Sequence, residues 1–302
     1  MSGLLDHRRR LPVPPLRSAA VRLLALAASV LAVAALAACG GEAEPAPERE
    51  PGTVVWAVGD GADGGEDANA IVDLIARDPH DAVLYLGDVY PKGTPEDFEE
   101  NYRPTYGRLA GETYPTPGNH EYDYEDPQEG YYAYWQRERG KRMPPWYSFK
   151  LGGWEFLSLN SEEPVEPGSP QHTWLQAQLS EPGTCRVAFF HAARYSATPE
   201  HHGDNPDLEP LWDALEGHAT VVLSAHDHNM QRFKPTDGMT QFVSGAGGHF
   251  HYDVEEQDDR LAWSNDDNYG ALRLELRPGV AEHRFVLRDG RVVDRGTIPC
   301  RR

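Results

Sequence analysis

The sequence predicts an α/β domain in which sheets are covered by helices and the chain closes in antiparallel strands. Three observations predict it. Short apolar runs over 54–58, 82–86, 186–190 and 220–224 each lead into a polar residue or pair. Helical stripes separate several of these runs. After residue 271 the pattern alternates and is punctuated by Arg277-Pro278-Gly279 and Asp289-Gly290, which are turn signals.

In chain order, Arg8, Arg9, Arg10, Arg17 and Arg22 precede an uncharged apolar run over 23–38, and Cys39-Gly40 follows it. This pattern resembles a bacterial lipoprotein signal over 1–38 with lipidation at Cys39. An ordinary secretory signal is the competing reading, and either one exports the domain. The apolar run is marginal for a bilayer span. Residues 39–52 are rich in Pro and Glu and too poor in apolar side chains to pack, so they form an extended or disordered tether. The domain proper is then 53–302. Export places Cys185 and Cys300, the other two cysteines, in an oxidising compartment, and a disulfide between them is expected.

Residues 54–58 form a buried strand closed by Gly59-Asp60. Residues 68–77 carry Ile71, Val72, Leu74 and Ile75 on one stripe before Pro79, as a helix would. A second buried strand over 82–86 ends in the same pair, Gly87-Asp88. Thr94-Pro95-Glu96-Asp97 has a capping hydroxyl, proline at the first helical position and acids in the first turn, so another helix starts there. Residues 122–145, crowded with tyrosines and charges but without clean periodicity, read as a long excursion near the site. Residues 146–150 and 154–159 form a hairpin about Gly152-Gly153, and Ser169-Pro170 caps a helix running to Leu179. A strand over 186–190 leads to His191, a helix covers 208–216, and a strand over 220–224 leads to Ala225-His226-Asp227-His228. Residues 241–243 enter Gly245-Ala246-Gly247-Gly248, and strands over 271–275, 282–287 and 291–293 finish the chain.

The 302 residues carry a formal net charge of −20, which excludes a basic surface for gripping nucleic acid. A monomer is expected. In open α/β sheets the ligand crevice lies outside the carboxyl ends of the strands, where Asp60, Asp88, His191, His226 and His228 all fall. The turn Pro117-Gly118-Asn119-His120-Glu121 adds an amide, an imidazole and a carboxylate. Mixed oxygen and imidazole donors without a thiolate cluster suit a transition ion rather than calcium or a structural zinc knot. The donors are too many for one ion. Two ions roughly 3.5 to 4 Å apart, sharing a carboxylate, would use them and clamp a phosphoryl group.

The ordered set Gly59-Asp60, Gly87-Asp88, Gly118-Asn119-His120-Glu121, 187–191 and Ala225-His226-Asp227-His228 resembles the calcineurin-like metallophosphoesterases, in particular their purple acid phosphatase branch. The resemblance spans residues 54 to about 248. It implies a four-layer α/β/β/α sandwich with a dinuclear centre of Fe, Zn or Mn. Asp60, Asp88 and His228 would hold one ion, and Asp88, Asn119, His191 and His226 the other. His120 would contact phosphoryl oxygens or the leaving group, with Glu121 behind the ligands.

Three departures stand out. Gly61 and Ala62 follow Asp60 where a histidine is common, so one ligand is missing from the first ion. Tyr90 falls one residue early for the tyrosine that fills this place in the purple branch, and reads either as that ligand or as a packed neighbour. Ala225 replaces a usual glycine, which matters only if its φ must be positive. His202 reads as an auxiliary acid or a surface-loop residue, and His249 and His251 as rim residues. The implied reaction is hydrolysis of a small phosphate monoester by a metal-bound hydroxide. The alternatives are a phosphodiesterase acting on nucleotides or phospholipid head groups, and a non-catalytic surface binding module.

Overall fold

Alternating side chains on the central strands build the architecture. The computed structural model describes residues 52–123, 126–181, 185–255 and 257–300. The signal over 1–38, Cys39 and the tether up to residue 51 lie outside the described residues. Strand β1 (Thr53–Val58) is followed by helix α1 (Glu66–Arg77), β2 (Ala82–Tyr85), α2 (Pro95–Asp97), β3 (Thr113–Pro115), α3 (His120–Asp123) and α4 (Ala133–Arg139). Then come β4 (Tyr147–Leu151), β5 (Trp154–Ser158), α5 (Pro170–Leu179), β6 (Cys185–Phe189), α6 (Glu209–Leu215) and β7 (Val221–Ser224). Strands β8 (Met230–Phe233), β9 (Thr240–Ser244), β10 (Leu261–Asn265), β11 (Gly270–Arg277), β12 (Val280–Leu287) and β13 (Val292–Pro299) complete the chain.

One sheet has the order β13-β12-β11-β1-β2-β3 and the other β10-β8-β9-β7-β6-β5-β4. In β1, Val55 and Ala57 face the second sheet, where they pack with Phe156, Val187, Phe189 and Leu223. Their neighbours Trp56 and Val58 face outward onto Ile71, Val72 and Ile75 of α1. In β6 and the residue after it, Val187 and Phe189 point inward while Ala188 and Phe190 meet Leu175 of α5 and Trp212 of α6. This period of two buries both faces of each sheet and yields the four layers α/β/β/α. Each fully buried side chain of this size contributes about 1.5–3 kcal/mol.

The helix signals act as expected at two sites. Thr94 Oγ1 accepts from Asp97 N and Asp97 Oδ2 from Thr94 N, both at 3.1 Å, although the helix soon widens into a π-helical turn over Phe98–Tyr102. Ser169 Oγ accepts from His172 N at 3.2 Å. Within 122–145 the described residues differ from the expected excursion. A π-helical turn over Gln128–Tyr132 runs into α4, and Tyr131, Tyr134 and Trp135 are buried against the outer face of the first sheet. Aromatic packing rather than an apolar stripe holds this segment, so periodicity does not show it. Strands β3, β8 and β10 also lack a period of their own in the sequence and are fixed by pairing with β2, β9 and β8. Cys185 and Cys300 form a disulfide with Cα atoms 5.6 Å apart, joining the start of β6 to the residue after β13.

Candidate metal centre

Five strands deliver the predicted donors to one end of the sandwich. Asp60 follows β1, Asp88 β2, Asn119 β3, His191 β6, and His226 and His228 β7. The chain must turn sharply there: φ is 54° at Asp60, 66° at Asp88 and 70° at His226. Left-handed backbone at a residue with a side chain costs about 1–2 kcal/mol, and such strain concentrates at functional sites. Ala225 is not among these positive-φ residues, and its methyl group fills the space opposite Gly59, where an added Cβ would lie 2.5 Å away. Gly118 is needed for a different close approach from the one the turn suggests. A Cβ there would collide with Asp88 Oδ1 and stand 2.8 Å from His191 Nδ1, so glycine makes room for two donor side chains.

Around His191 the tautomer is fixed by the backbone. Its Nδ1 lies 2.7 Å from the Leu86 carbonyl, which can only accept, so Nδ1 carries a proton. Nε2 then faces Asn119 Oδ1 at 3.1 Å, His226 Nδ1 at 3.1 Å and Asp88 Oδ2 at 3.3 Å. Donor atoms of Asp88, His191 and His226 lie within 4.8 Å of one another. Burial opposes a second proton on His191, but the charges of Asp88 and Asp60 outweigh it and hold the ring well above its ordinary pKa. Burial likewise opposes ionisation of Asp88, and His191 overrides it and holds the carboxyl well below its usual range. His226 is pushed down to about 2 by burial and then by His191.

The other half centres on Tyr90. His228 Nδ1 donates to the Phe250 carbonyl at 2.8 Å, leaving the Nε2 lone pair 2.9 Å from the Tyr90 hydroxyl. That hydroxyl is also 3.1 Å from Asp60 Oδ1 and 3.3 Å from Asp88 Oδ2. One hydroxyl proton cannot serve two carboxylate oxygens and an imidazole nitrogen. Acceptors are in surplus, as a cation site requires. Tyr90 is thus brought among Asp60, Asp88 and His228 despite its early position in the sequence. Burial raises the Asp60 carboxyl and the Tyr90 phenol well above their ordinary values, the latter with help from Asp60 and Asp88. His228 is pushed down to about 3 by burial and then by His249.

His120 stands at the edge of this cluster, with Nδ1 2.7 Å from the Pro91 carbonyl and Nε2 3.8 Å from Asp88 Oδ2. The His202 ring is 3.8 Å from that of His226, so its loop does reach the site. Glu121 is a tie between loops: its carboxylate accepts from Gly118 N and Val89 N at 2.6 Å and from Asp88 N at 3.2 Å. Burial and then the Asp88 charge push it up to about 8 against those bonds. Two residues pack on the centre in a way the sequence does not show, although His249 is already placed at the rim. His249 stacks on Tyr90 with centroids 3.8 Å apart, and Tyr252 lies 4.2 Å from His228 and 4.1 Å from His201, nearly parallel to both. Their one signal is that they follow the glycine-rich segment. His251 turns instead to Tyr269, at 4.2 Å.

A family profile described as calcineurin-like phosphoesterase matches residues 53–230. Purple acid phosphatase 21 of Arabidopsis thaliana is 27% identical over 181 residues, which cover 54% of this chain and 41% of that protein. Purple acid phosphatase 15 of the same plant is 26% identical over 223 residues, covering 62% and 42% respectively. The chain thus spans less than half the length of these relatives. Among solved structures, GAP50, the anchor in the inner membrane complex of Plasmodium, superposes with a TM-score of 0.68 at 14% identity, covering 84% of this chain and 90% of that one. The purple acid phosphatase PPD1 of yellow lupin gives 0.66 at 15% identity, covering 84% and 55%. At these identities the superpositions speak for the fold alone. Among the described residues, no helix is long and apolar enough to cross a membrane.

Proposed function

Since the chain belongs to the calcineurin-like phosphoesterase family, we propose that its strand-end cluster hydrolyses small phosphate monoesters with two metal ions. Asp60, Asp88, Tyr90 and His228 would hold one ion, and Asp88, Asn119, His191 and His226 the other, with Asp88 shared. The observation that carries this reading is the surplus of acceptors around Tyr90 and around His191 Nε2. Carboxylate, amide, phenol and imidazole donors suit Fe, Zn or Mn. When bound, such ions supply a water acidified toward neutral pH and a clamp for phosphoryl oxygens.

The chain's own residues supply the rest. Backbone carbonyls of Leu86 and Phe250 fix the tautomers of His191 and His228, so that each offers its Nε2 inward. Glu121 fastens the loops bearing Asp88 and Asn119 to each other. His120, beside Asp88, and His202, beside His226, are the side chains in reach to donate a hydrogen bond to a phosphoryl oxygen or a proton to the departing alcohol. The presence of Asp60, Asp88, Asn119, His191, His226 and His228 together favours this enzyme over a binding module that kept only the fold.

Elemental analysis, the visible spectrum and rates on a phosphomonoester and a phosphodiester test the proposal together. Two ions per chain and faster monoester turnover are expected. With iron bound, a tyrosinate charge-transfer band should be present and vanish in Tyr90→Phe. Full activity after metal stripping would overturn the proposal, and faster diester turnover would change the substrate class. We propose further that Cys39 is lipidated and tethers the exported domain, residues 53–302, to a membrane as a monomer with no nucleic-acid surface. A Cys39→Ala chain that stays in the membrane fraction would contradict the anchor.

A further inference from the structure

The loop after β9 binds the candidate centre at several points. His249 and Tyr252 lay their rings on Tyr90 and His228, and the Phe250 carbonyl accepts from His228 Nδ1. Between these fastened neighbours the Phe250 side chain turns outward and is 54% exposed. Among the described residues the other large hydrophobic side chain so exposed is Val292, at the start of β13 in the opposite sheet. The Phe250 ring lies 4.4 Å from that of His249, 5.1 Å from His228 and 5.3 Å from Tyr252. A lone exposed apolar residue is ordinary. A phenylalanine whose own carbonyl orients a candidate metal ligand, and whose ring adjoins that ligand, is placed by the site.

We propose that Phe250 is a specificity-determining residue that stacks on a planar aromatic leaving group, so that the site prefers aryl or nucleoside phosphate esters to aliphatic ones. The proposal rests on the phosphoesterase reading and deepens it. A phosphoryl group held among the donors, His228 Nε2 included, must send its leaving group outward, and Phe250 borders that ligand on the solvent side. Aromatic rings and nucleobases gain from stacking on a phenyl face, whereas an aliphatic alcohol of similar charge gains much less. Tyr252, packed between His228 and His201, extends the aromatic surface away from the donors.

The test compares metal-loaded wild type with Phe250→Ala, Phe250→Leu and Phe250→Trp on phenyl phosphate, adenosine monophosphate and glycerol phosphate. Calorimetric titration with phenylphosphonate and methylphosphonate gives a reading independent of turnover. In wild type the aromatic esters should have the lower KM. Phe250→Ala and Phe250→Leu should raise that KM roughly 3- to 10-fold relative to glycerol phosphate, in KM rather than kcat, and Phe250→Trp should restore it. A response of phenyl phosphate alone assigns the surface to a ring at the ester oxygen, and of adenosine monophosphate alone to a nucleobase. Turnover of all three esters with the same KM ratios in every variant overturns the subsite and leaves the phosphoesterase reading standing. Absence of all turnover overturns the phosphoesterase reading. In that event phenylphosphonate binding more tightly than methylphosphonate, and losing that advantage in Phe250→Ala, supports the subsite; equal binding overturns it.

Discussion

Strand β6 runs between two ends of the molecule that are built on opposite terms. At its start, Cys185 is bonded to Cys300, and the buried Arg186 guanidinium donates to Glu155 Oε2 and to the Glu181 carbonyl, both at 2.6 Å. Among the described residues there, the Arg186 and Glu155 charges are paired with each other. Just past its other end, His191 joins a cluster of positive-φ backbone, buried carboxylates and converging lone pairs. One end is stabilised by satisfied polar groups and a covalent link. The other holds strained backbone and more acceptors than donors, which a bound cation would satisfy. The covalent link and the candidate site are thus separated along a few residues of one strand.

The largest effect should come from Asp88→Ala, which removes the carboxylate that lies between the two halves of the centre. Turnover should fall by about a thousandfold or more, with both ions lost by elemental analysis while the near-ultraviolet circular dichroism of the fold is kept. If only one ion were lost, the shared role of Asp88 would be wrong. Next is Arg186→Leu, which leaves Glu155 buried without its cation; urea melts should show a loss of about 3–5 kcal/mol, with metal content of the folded protein retained. A drop in metal affinity of similar size would mean that the two ends are coupled. Cys300→Ser, opening a link across a sequence separation of 115, should cost about 2–4 kcal/mol and again spare metal binding.

The smallest effect concerns pH at a third place, the ion pair between β8 and β13. Burial opposes ionisation of Asp294, but Arg232 donates to it at 2.7 and 2.8 Å and holds the carboxyl below its usual range. A folded-state pKa depressed below the unfolded value of about 3.9 gives stability that is complete above that pH and lost as pH falls beneath it. Asp294→Asn should therefore remove about 1–3 kcal/mol at pH 7 and make the remaining stability less sensitive to acid. Unchanged acid sensitivity in thermal melts between pH 5 and pH 2 would discount this pair.

Much of this is legible in the sequence. The strands that carry Asp60, Asp88, His191, His226 and His228 are short apolar runs closed by polar residues; any one such end could be a turn, but metal-donor types recurring at several strand ends mark a site. The caps at Thr94 and Ser169 follow from local chemistry, and the Cys185–Cys300 pair from the count of cysteines in an exported domain. Tyr90 could not be decided so, since one residue of spacing separates a ligand from a neighbour, and the loop path after β2 alone carries its hydroxyl to Asp60 and His228. Nor could Gly118 be read as space for Asp88 and His191, or His249 and Tyr252 as supports of the centre, because those partners lie far away along the chain. Local patterns disclose which donors exist and that they gather at strand ends, for period and local capping are written in neighbouring residues. Which ring rests on which ligand, which tautomer faces inward and where Phe250 meets solvent were decided by tertiary packing, because they depend on contacts between segments that no local pattern encodes.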